Sequence, residues 1–417
     1  MKYILSFIIA VVTSLQTAWC TDDYTLRLLD RVSLAPVEGA KIRVGTSLFK
    51  SASDGTVYID IPTDTLRIKA PGYKPADIAL DANRTVLLDP FDVKALYLSF
   101  WSAGTKKITE RIFRLIDETE INAVVIDIKN EFGYLLYPGN LPEAEKIGAY
   151  EKSRIRDIDT FIQKLKAKGV YVIGRVVVFK DDLFATAHPE LAIRNRDGSV
   201  WRNGEKIAWS DPFQKSVHTY NIRIAADAAD HGFDEINFDY IRFPGANSLL
   251  YLHRNTRSNR VKAINTFLLS AQLELDRHDV FISVDTYGYV CWNENDTGIG
   301  HQLEDLGRYS DIVSPMLYPS SYHLGIPGYE DSLNHIYRLI HDTLQEGYRR
   351  TGIANRRFRP WLQAFPDYAF DRRKFRGWEI REQIRAAEDF NSSGWMLWHP
   401  GSYFYHDGLK PAEKLPD

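Results

Sequence analysis

The residues best suited to chemistry lie in the segment Phe233–Pro244, which reads FDEINFDYIRFP. An alternation of two places Phe238 on one face of a strand and Asn237 and Asp239 on the other. Asp239 ends that strand, and Tyr240, Arg242 and Pro244 shape the loop that follows. A second carboxylate, Asp285, ends the run VFISVDTYGY over Val280–Tyr289. Two carboxylates on neighbouring strand ends suit the cleavage of a glycosidic bond, one as nucleophile or base and the other as acid. On this reading Asp239 is the nucleophile or charge stabiliser. Asp285 is the general acid/base, once burial has raised its pKa. Arg242 is expected to keep a carboxylate ionised. A third strand end, AVVIDIKNEFG over Ala123–Gly133, brings Asp127 and Lys129 onto one face by the same alternation. They are expected to pair, and to orient a sugar hydroxyl or tune Asp239. The competing roles are structural: Asp239 as a helix cap, Asp285 as a tie for its own loop.

Other groups fall near the same rim. Arg175 lies inside the third strand, Tyr318 ends the sixth, Gln363 the seventh and Trp398 the eighth, while Trp101 follows the first. Trp101 and Trp398 suit stacking on the apolar faces of sugar rings, and equally suit packing. Lys129, Arg242 and Tyr318 are expected to tune and orient. The 11 His show no H-E-x-x-H or paired spacing. His323 and His399 fall near the rim without evident partners. Asp127, Asp239 and Asp285 could converge on a hard cation, but Lys129 and Arg242 point to carboxylates balanced by protein cations, so no metal is expected. No G-x-S-x-G elbow occurs, and no strand is followed by G-x-G-x-x-G or a P-loop, so no cofactor is expected.

These groups need a scaffold that gathers strand ends. From Val93 onward, short apolar runs alternate with helical periodicity. The runs cover 94–100, 123–128, 170–178, 235–239, 280–285, 312–317, 359–365 and 394–398. Helices are expected at 108–116, 155–168, 212–231, 257–277, 302–308, 329–347 and 378–390. Eight strand–helix units over roughly 300 residues favour a closed (β/α)8 TIM barrel, spanning 92–417, over an open sheet.

Before it, residues 23–91 show period-two strands at 24–29, 40–44, 56–61, 65–69 and 84–88. Turn signals separate them at Glu38-Gly39, Asp54-Gly55 and Pro71-Gly72, which predicts a small all-β sandwich. Residues 1–20 read as a signal peptide: Lys2, a short apolar run to Leu15, then a more polar end. The expected location is therefore secreted or periplasmic. Lipidation at Cys20 is disfavoured by the bulky Trp19 before it. Cys20 and Cys291 are the 2 cysteines, so no disulfide framework exists, and Cys291 is expected buried and free. The net charge of −3 gives no global attraction to nucleic acid or an anionic membrane, and no membrane span is expected. Oligomeric state is left open.

Two resemblances add to this reading. Pro36–Ala40, Asp54-Gly55 and Ala70–Tyr73 resemble the carboxypeptidase regulatory-like (transthyretin-like) sandwich, a module usually structural or adhesive. Seven motifs in order over 93–403 resemble a family of glycoside hydrolase barrel domains related to the α-amylase-like superfamily. They are LSFW (Leu98–Trp101), VIDIK (Val125–Lys129), INFDYIRFP (Ile236–Pro244), DTGIGHQ (Asp296–Gln302), SPMLYP (Ser314–Pro319), PWLQ (Pro360–Gln363) and GWMLW (Gly394–Trp398). The resemblance implies a barrel acting on a polysaccharide or glycan, with Asp239 at the position of a strand-four nucleophile. The strand-five position often carries Glu in amylase-like enzymes, and Asp285 departs from that. The rival reading is a non-catalytic carbohydrate-binding or cell-envelope scaffold protein. Carboxylates consumed by Lys129 and Arg242, with no open cleft, would favour it.

Overall fold

Strands buried on both faces read as near-continuous apolar runs, whereas strands with one wet face alternate. This chain contains both kinds. The computed structural model describes residues 24–60, 63, 65–79 and 84–412. The residues proposed as a signal peptide, Cys20 included, lie outside the described residues. Two units are present. The first ends at Ala70 and resumes over Pro75–Asp89; the second takes Pro71–Lys74 and continues from Pro90.

The first unit is all β. Its strands are β1 (Tyr24–Asp30), β2 (Lys41–Val44), β3 (Ser47–Lys50), β4 (Thr56–Ile59), β5 (Thr65–Lys69), β6 (Ala76–Ala79) and β7 (Thr85–Leu88). They form a three-stranded sheet, β4-β1-β7, and a four-stranded sheet, β3-β2-β5-β6. Alternate residues are buried: Leu26 and Leu28 on β1, Val57 and Ile59 on β4, Leu66 and Ile68 on β5. The periodicity predicts five of the strands. It misses β3 and β6, which are four residues long and half-buried or exposed throughout.

The second unit is the expected barrel. Strands β8 (Val93–Leu98), β9 (Ala123–Lys129), β10 (Tyr171–Val177), β11 (Glu235–Asp239), β12 (Phe281–Tyr287), β13 (Ile312–Leu317), β14 (Trp361–Gln363) and β15 (Gly394–Trp398) close in sequence order. Every neighbouring pair is parallel, including β15 with β8. The closing seam is tight. Gly394 has φ +97°, and a Cβ there would stand 2.0 Å from the Val93 carbonyl oxygen, so only glycine fits. Amphipathic helices cover the outside; the one at Lys106–Glu118, for example, buries Ile112, Leu115 and Ile116. The helix expected over 329–347 instead spans Ile336–Thr351. Its start is delayed because the Asp331 carboxylate accepts the backbone N–H groups of Leu333 and Asn334 and holds a turn. Among the described residues, no helix is long and apolar enough to cross a membrane.

One end of the barrel interior is sealed by charge. Arg359 donates from Nη1 to both oxygens of Glu235, at 2.9 and 2.7 Å, and both residues are fully buried. The Tyr171 hydroxyl adds a bond to Glu235 at 3.0 Å. Glu235 and Tyr171 begin their strands, which places this plug at the end opposite the acidic rim. Breaking such a pair from one side strands a buried charge. Arg359→Met is therefore expected to lose about 3–5 kcal/mol of stability, measured by urea unfolding. A loss within about 0.5 kcal/mol, the range of a neutral surface change, would contradict this role for the pair.

Candidate active site

Period two along parallel strands sends every second side chain inward, and those near the C-terminal ends meet at the rim. Here they meet around Arg175, on β10. Its Nη1 donates to Asp127 Oδ1 at 2.6 Å, and its Nε donates to Asp239 Oδ2 at 3.1 Å, with Nη2 on the same oxygen. The register explains the grouping: Arg175 stands beside Asp127 on one flank, and the β10–β11 pairing brings Asp239 level with Val177 on the other. Burial works against the Arg175 charge, but the two carboxylates outweigh it and hold its pKa well above the ordinary value. Asp127 is used up in this arrangement. Its Oδ2 accepts the Tyr97 hydroxyl at 2.5 Å and the Phe100 backbone N–H at 3.1 Å. Asp239 keeps one oxygen freer, since among the described residues Oδ1 accepts only the backbone N–H of Tyr240 at 2.6 Å. Tyr240 adopts φ +50°, an uncommon conformation for a bulky side chain, directly after the carboxylate it holds.

Asp285 sits in a contrasting environment. Its Oδ1 accepts Asn237 Nδ2 at 2.8 Å and Trp361 Nε1 at 2.7 Å. Oδ2 accepts no hydrogen bond among the described residues. Burial, then the nearby Asp239 charge, push the Asp285 pKa well above the usual carboxylate range; the Asn237 and Trp361 bonds and Arg175 oppose this and lose. Tyr318 remains a phenol for similar reasons, because burial, Asp285 and Asp239 all raise its pKa.

These groups line one cavity of about 180 Å³, walled by Arg175, Asp239, Asp285, Tyr318, Trp361 and Trp398, with Tyr240, Arg242, Tyr287 and Met316 at its sides. Its aromatic floor is fixed by ring contacts. Tyr97 stacks on Trp398 at 3.8 Å, Trp361 meets Trp398 edge-on at 5.4 Å, and the Arg175 guanidinium lies 4.9 Å over Trp398. The cavity has room for a single ring-sized group. His301, from the DTGIGHQ motif, supports the loop from behind. One ring nitrogen meets Thr286 Oγ1 at 2.8 Å and the other the Ile241 carbonyl at 3.2 Å, and burial pushes its pKa down to about 4.

Several expected placements are corrected. Lys129 does not pair with Asp127. A bulge shifts the β9–β10 register so that Arg175 opposes Asp127 while Val176 opposes Lys129. That extra residue turns Lys129 away from the Asp127 face, where it binds Asp181 Oδ2 and Asn221 Oδ1, each at 2.6 Å. Among the described residues Arg242 holds no carboxylate; its role as counter-charge falls to Arg175. Gln363 does not reach the cavity. Its amide is spent on the Ser320 N–H at 3.0 Å, the Ser320 hydroxyl at 2.7 Å and the Phe365 carbonyl at 3.2 Å, and it is fully buried. Asp127 likewise has no oxygen left for a substrate and instead anchors Arg175. Trp101 is 43% exposed on the short helix Phe100–Ala103, beside Phe100 and Arg154, and does not line the cavity. Tyr97 and Trp361 are site residues that the sequence reading did not single out. Cys291 is buried and free, its thiol pushed up to about 12 by burial.

A closed (β/α)8 barrel with paired carboxylates and aromatic walls at its rim is an architecture of glycoside hydrolases. Residues 95–404 match the family described as "Putative glycosyl hydrolase domain", and the chain belongs to that family. No curated protein matches the sequence. Among solved structures, a hypothetical protein from Ruminiclostridium thermocellum ATCC 27405 is 37% identical, with 46% of this chain and 96% of that one covered and a TM-score of 0.41. The PgaB (BpsB) glycoside hydrolase domain from Bordetella bronchiseptica is 14% identical, with 75% of this chain and 95% of that one covered and a TM-score of 0.56, which shows a shared fold.

The raised Asp285 pKa has a sign that can be measured. Between the ordinary carboxylate value and the raised native one, the folded chain holds a proton that the unfolded chain has released. Stability therefore falls as pH rises through that window. Asp285→Asn removes the effect, so its stability relative to wild type should grow as pH rises, followed by urea unfolding at a series of pH values. Parallel curves for the two proteins would contradict the assignment.

Proposed function

We propose that the chain hydrolyses O-glycosyl bonds of a polysaccharide or glycan. The observation that carries this is the contrast between two carboxylates on adjacent strand ends in one cavity. Asp239 is gripped by a guanidinium through Oδ2. Asp285 is buried, has its pKa raised well above the usual carboxylate range, and has Oδ2 without a donor among the described residues. Environments that drive two carboxyl groups apart mark the acid and its charged partner.

In the proposed reaction Asp285 gives its proton to the glycosidic oxygen as the bond from that oxygen to the anomeric carbon breaks. The Asp239 carboxylate meets the positive charge that develops on that carbon, by covalent capture or as a counter-ion. Water then adds to the carbon, displacing the Asp239 carboxylate where it has bonded there, and Asp285, now a carboxylate, takes the water's proton and is restored. Arg175 and the Tyr240 N–H keep Asp239 in place, and Tyr318 offers its hydroxyl to a sugar oxygen. Trp398 forms the stacking wall; Trp101, exposed outside the cavity, would serve a more distant sugar ring. The scaffold alternative needed its carboxylates consumed in ion pairs. Arg175, not Lys129 or Arg242, takes Asp127 and Asp239. What favours the hydrolase is Asp285, which no cation pairs with among the described residues. The signal proposed at residues 1–20 would deliver this activity to the periplasm or the exterior.

Assay of wild type, Asp239→Asn and Asp285→Asn against a panel of glycans tests the proposal. Each substitution should cut kcat/KM by about 10²–10⁴-fold. The wild-type rate should fall on the alkaline side as Asp285 deprotonates, at a pH above the usual carboxylate range, and the limb should vanish in Asp285→Asn. Equal turnover by all three proteins would refute the assignment.

A further inference from the structure

Two cations line the cavity among the described residues, and they are treated differently. The Arg175 donors are taken by Asp127 and Asp239. Arg242 has no carboxylate partner among the described residues. Its single hydrogen bond among the described residues runs from Nη1 to the carbonyl of its neighbour Phe243, at 3.2 Å. A guanidinium carries five N–H donors, so most of those of Arg242 have no protein acceptor. The fold nonetheless holds the group firmly. Its central carbon lies 4.9 Å over the Tyr287 ring, 5.0 Å over Tyr240 and 5.1 Å over Trp209. Tyr240 and Tyr287 come from the ends of the two strands that carry Asp239 and Asp285. Lys180 also lies 4.8 Å over the Tyr240 ring, although Glu205 answers its charge.

Aromatic rings attract a cation through their faces and leave its edge donors free. Arg242 is thus braced without being neutralised, half-buried, on the wall of the cavity that holds both carboxylates. A planar donor fork in that state is suited to a bidentate bond with an oxyanion. We propose that Arg242 selects a glycan with an anionic substituent, a carboxylate or a sulfate, on a sugar next to the bond that is cut. This rests on the cavity being the glycan site proposed above, and it adds the substrate class: an acidic polysaccharide, not a neutral one. Asp285, in its protonated form, presents no repelling charge to such a substrate. Asp239 would be shielded from it by Arg175.

The test is a binding measurement that does not depend on turnover. The full chain carrying Asp285→Asn, alone and combined with Arg242→Gln or Arg242→Lys, is titrated calorimetrically with three groups of oligosaccharides of matched length. Uronate oligomers carry carboxylates, sulfated hexosamine oligomers carry sulfates, and neutral glucan and chitin oligomers carry neither. At least one acidic group should bind about tenfold or more tighter than the neutral ones, and the better acidic group identifies the anion. Arg242→Gln should abolish that preference, weakening acidic binding far more than neutral binding; Arg242→Lys, which keeps the charge without the fork, should retain part of it. Equal affinity for acidic and neutral oligomers, a preference that survives Arg242→Gln, or no binding of any acidic oligomer would overturn the proposal. Arg242-dependent binding of an acidic oligomer that wild type fails to cleave would leave this inference standing and refute the hydrolase reading alone.

Discussion

A guanidinium buried inside a barrel must be answered by charge, because water is not there to answer it. Arg175 is only 3% exposed, and two carboxylates from the strands on either side meet it. The rest of the site follows from that constraint. Asp127 must point inward, so the Tyr97 hydroxyl and the Phe100 N–H take its other oxygen. Tyr97 then sets the ring on which Trp398 stacks. Asp239 is held from one side by the guanidinium and from the other by the backbone of Tyr240. Removing the cation would leave two buried carboxylates without a counter-charge, which is far more costly than losing one surface ion pair.

The same economy of charge separates the two rim acids. Arg175 makes its hydrogen bonds to Asp127 and Asp239 and reaches Asp285 only through space, where its influence is too small to reverse burial and the repulsion of Asp239. Neutral donors, Asn237 and Trp361, hold one oxygen of Asp285 and leave the other open. Asp285 therefore has its pKa raised by its surroundings alone. The buried Glu235–Arg359 pair lies at the starts of the strands, so the barrel interior is polar at both ends.

Much of this is legible in the sequence, and the failures have specific causes. The eight barrel strands are short, apolar and flanked by helical periodicity, so the barrel and the strand ends bearing Asp239 and Asp285 follow from local pattern. Lys129 shows the limit of that pattern. A strict alternation puts it beside Asp127, but one bulged residue reverses its face, and nothing in AVVIDIK announces a bulge. Partnerships are harder still. Arg175 lies 48 residues from Asp127 and 64 from Asp239, so choosing it over Arg242 requires knowing which strands are neighbours and in what register. Gln363 sits at a strand end as expected, yet its amide is claimed by Ser320, 43 residues earlier. In the first unit, β3 and β6 lack a buried alternate face and leave no period to detect.

The barrel mouth sets Asp285 beside Asp239 and raises the Asp285 pKa by burial and by that neighbouring charge. Carbon-13 NMR of the aspartate carboxyl groups, with Asp285→Asn used to assign the resonance, addresses it directly. On titration the Asp285 carboxyl carbon should change its chemical shift at a pH above the usual carboxylate range. A midpoint for Asp285 within the usual carboxylate range would contradict the raised pKa.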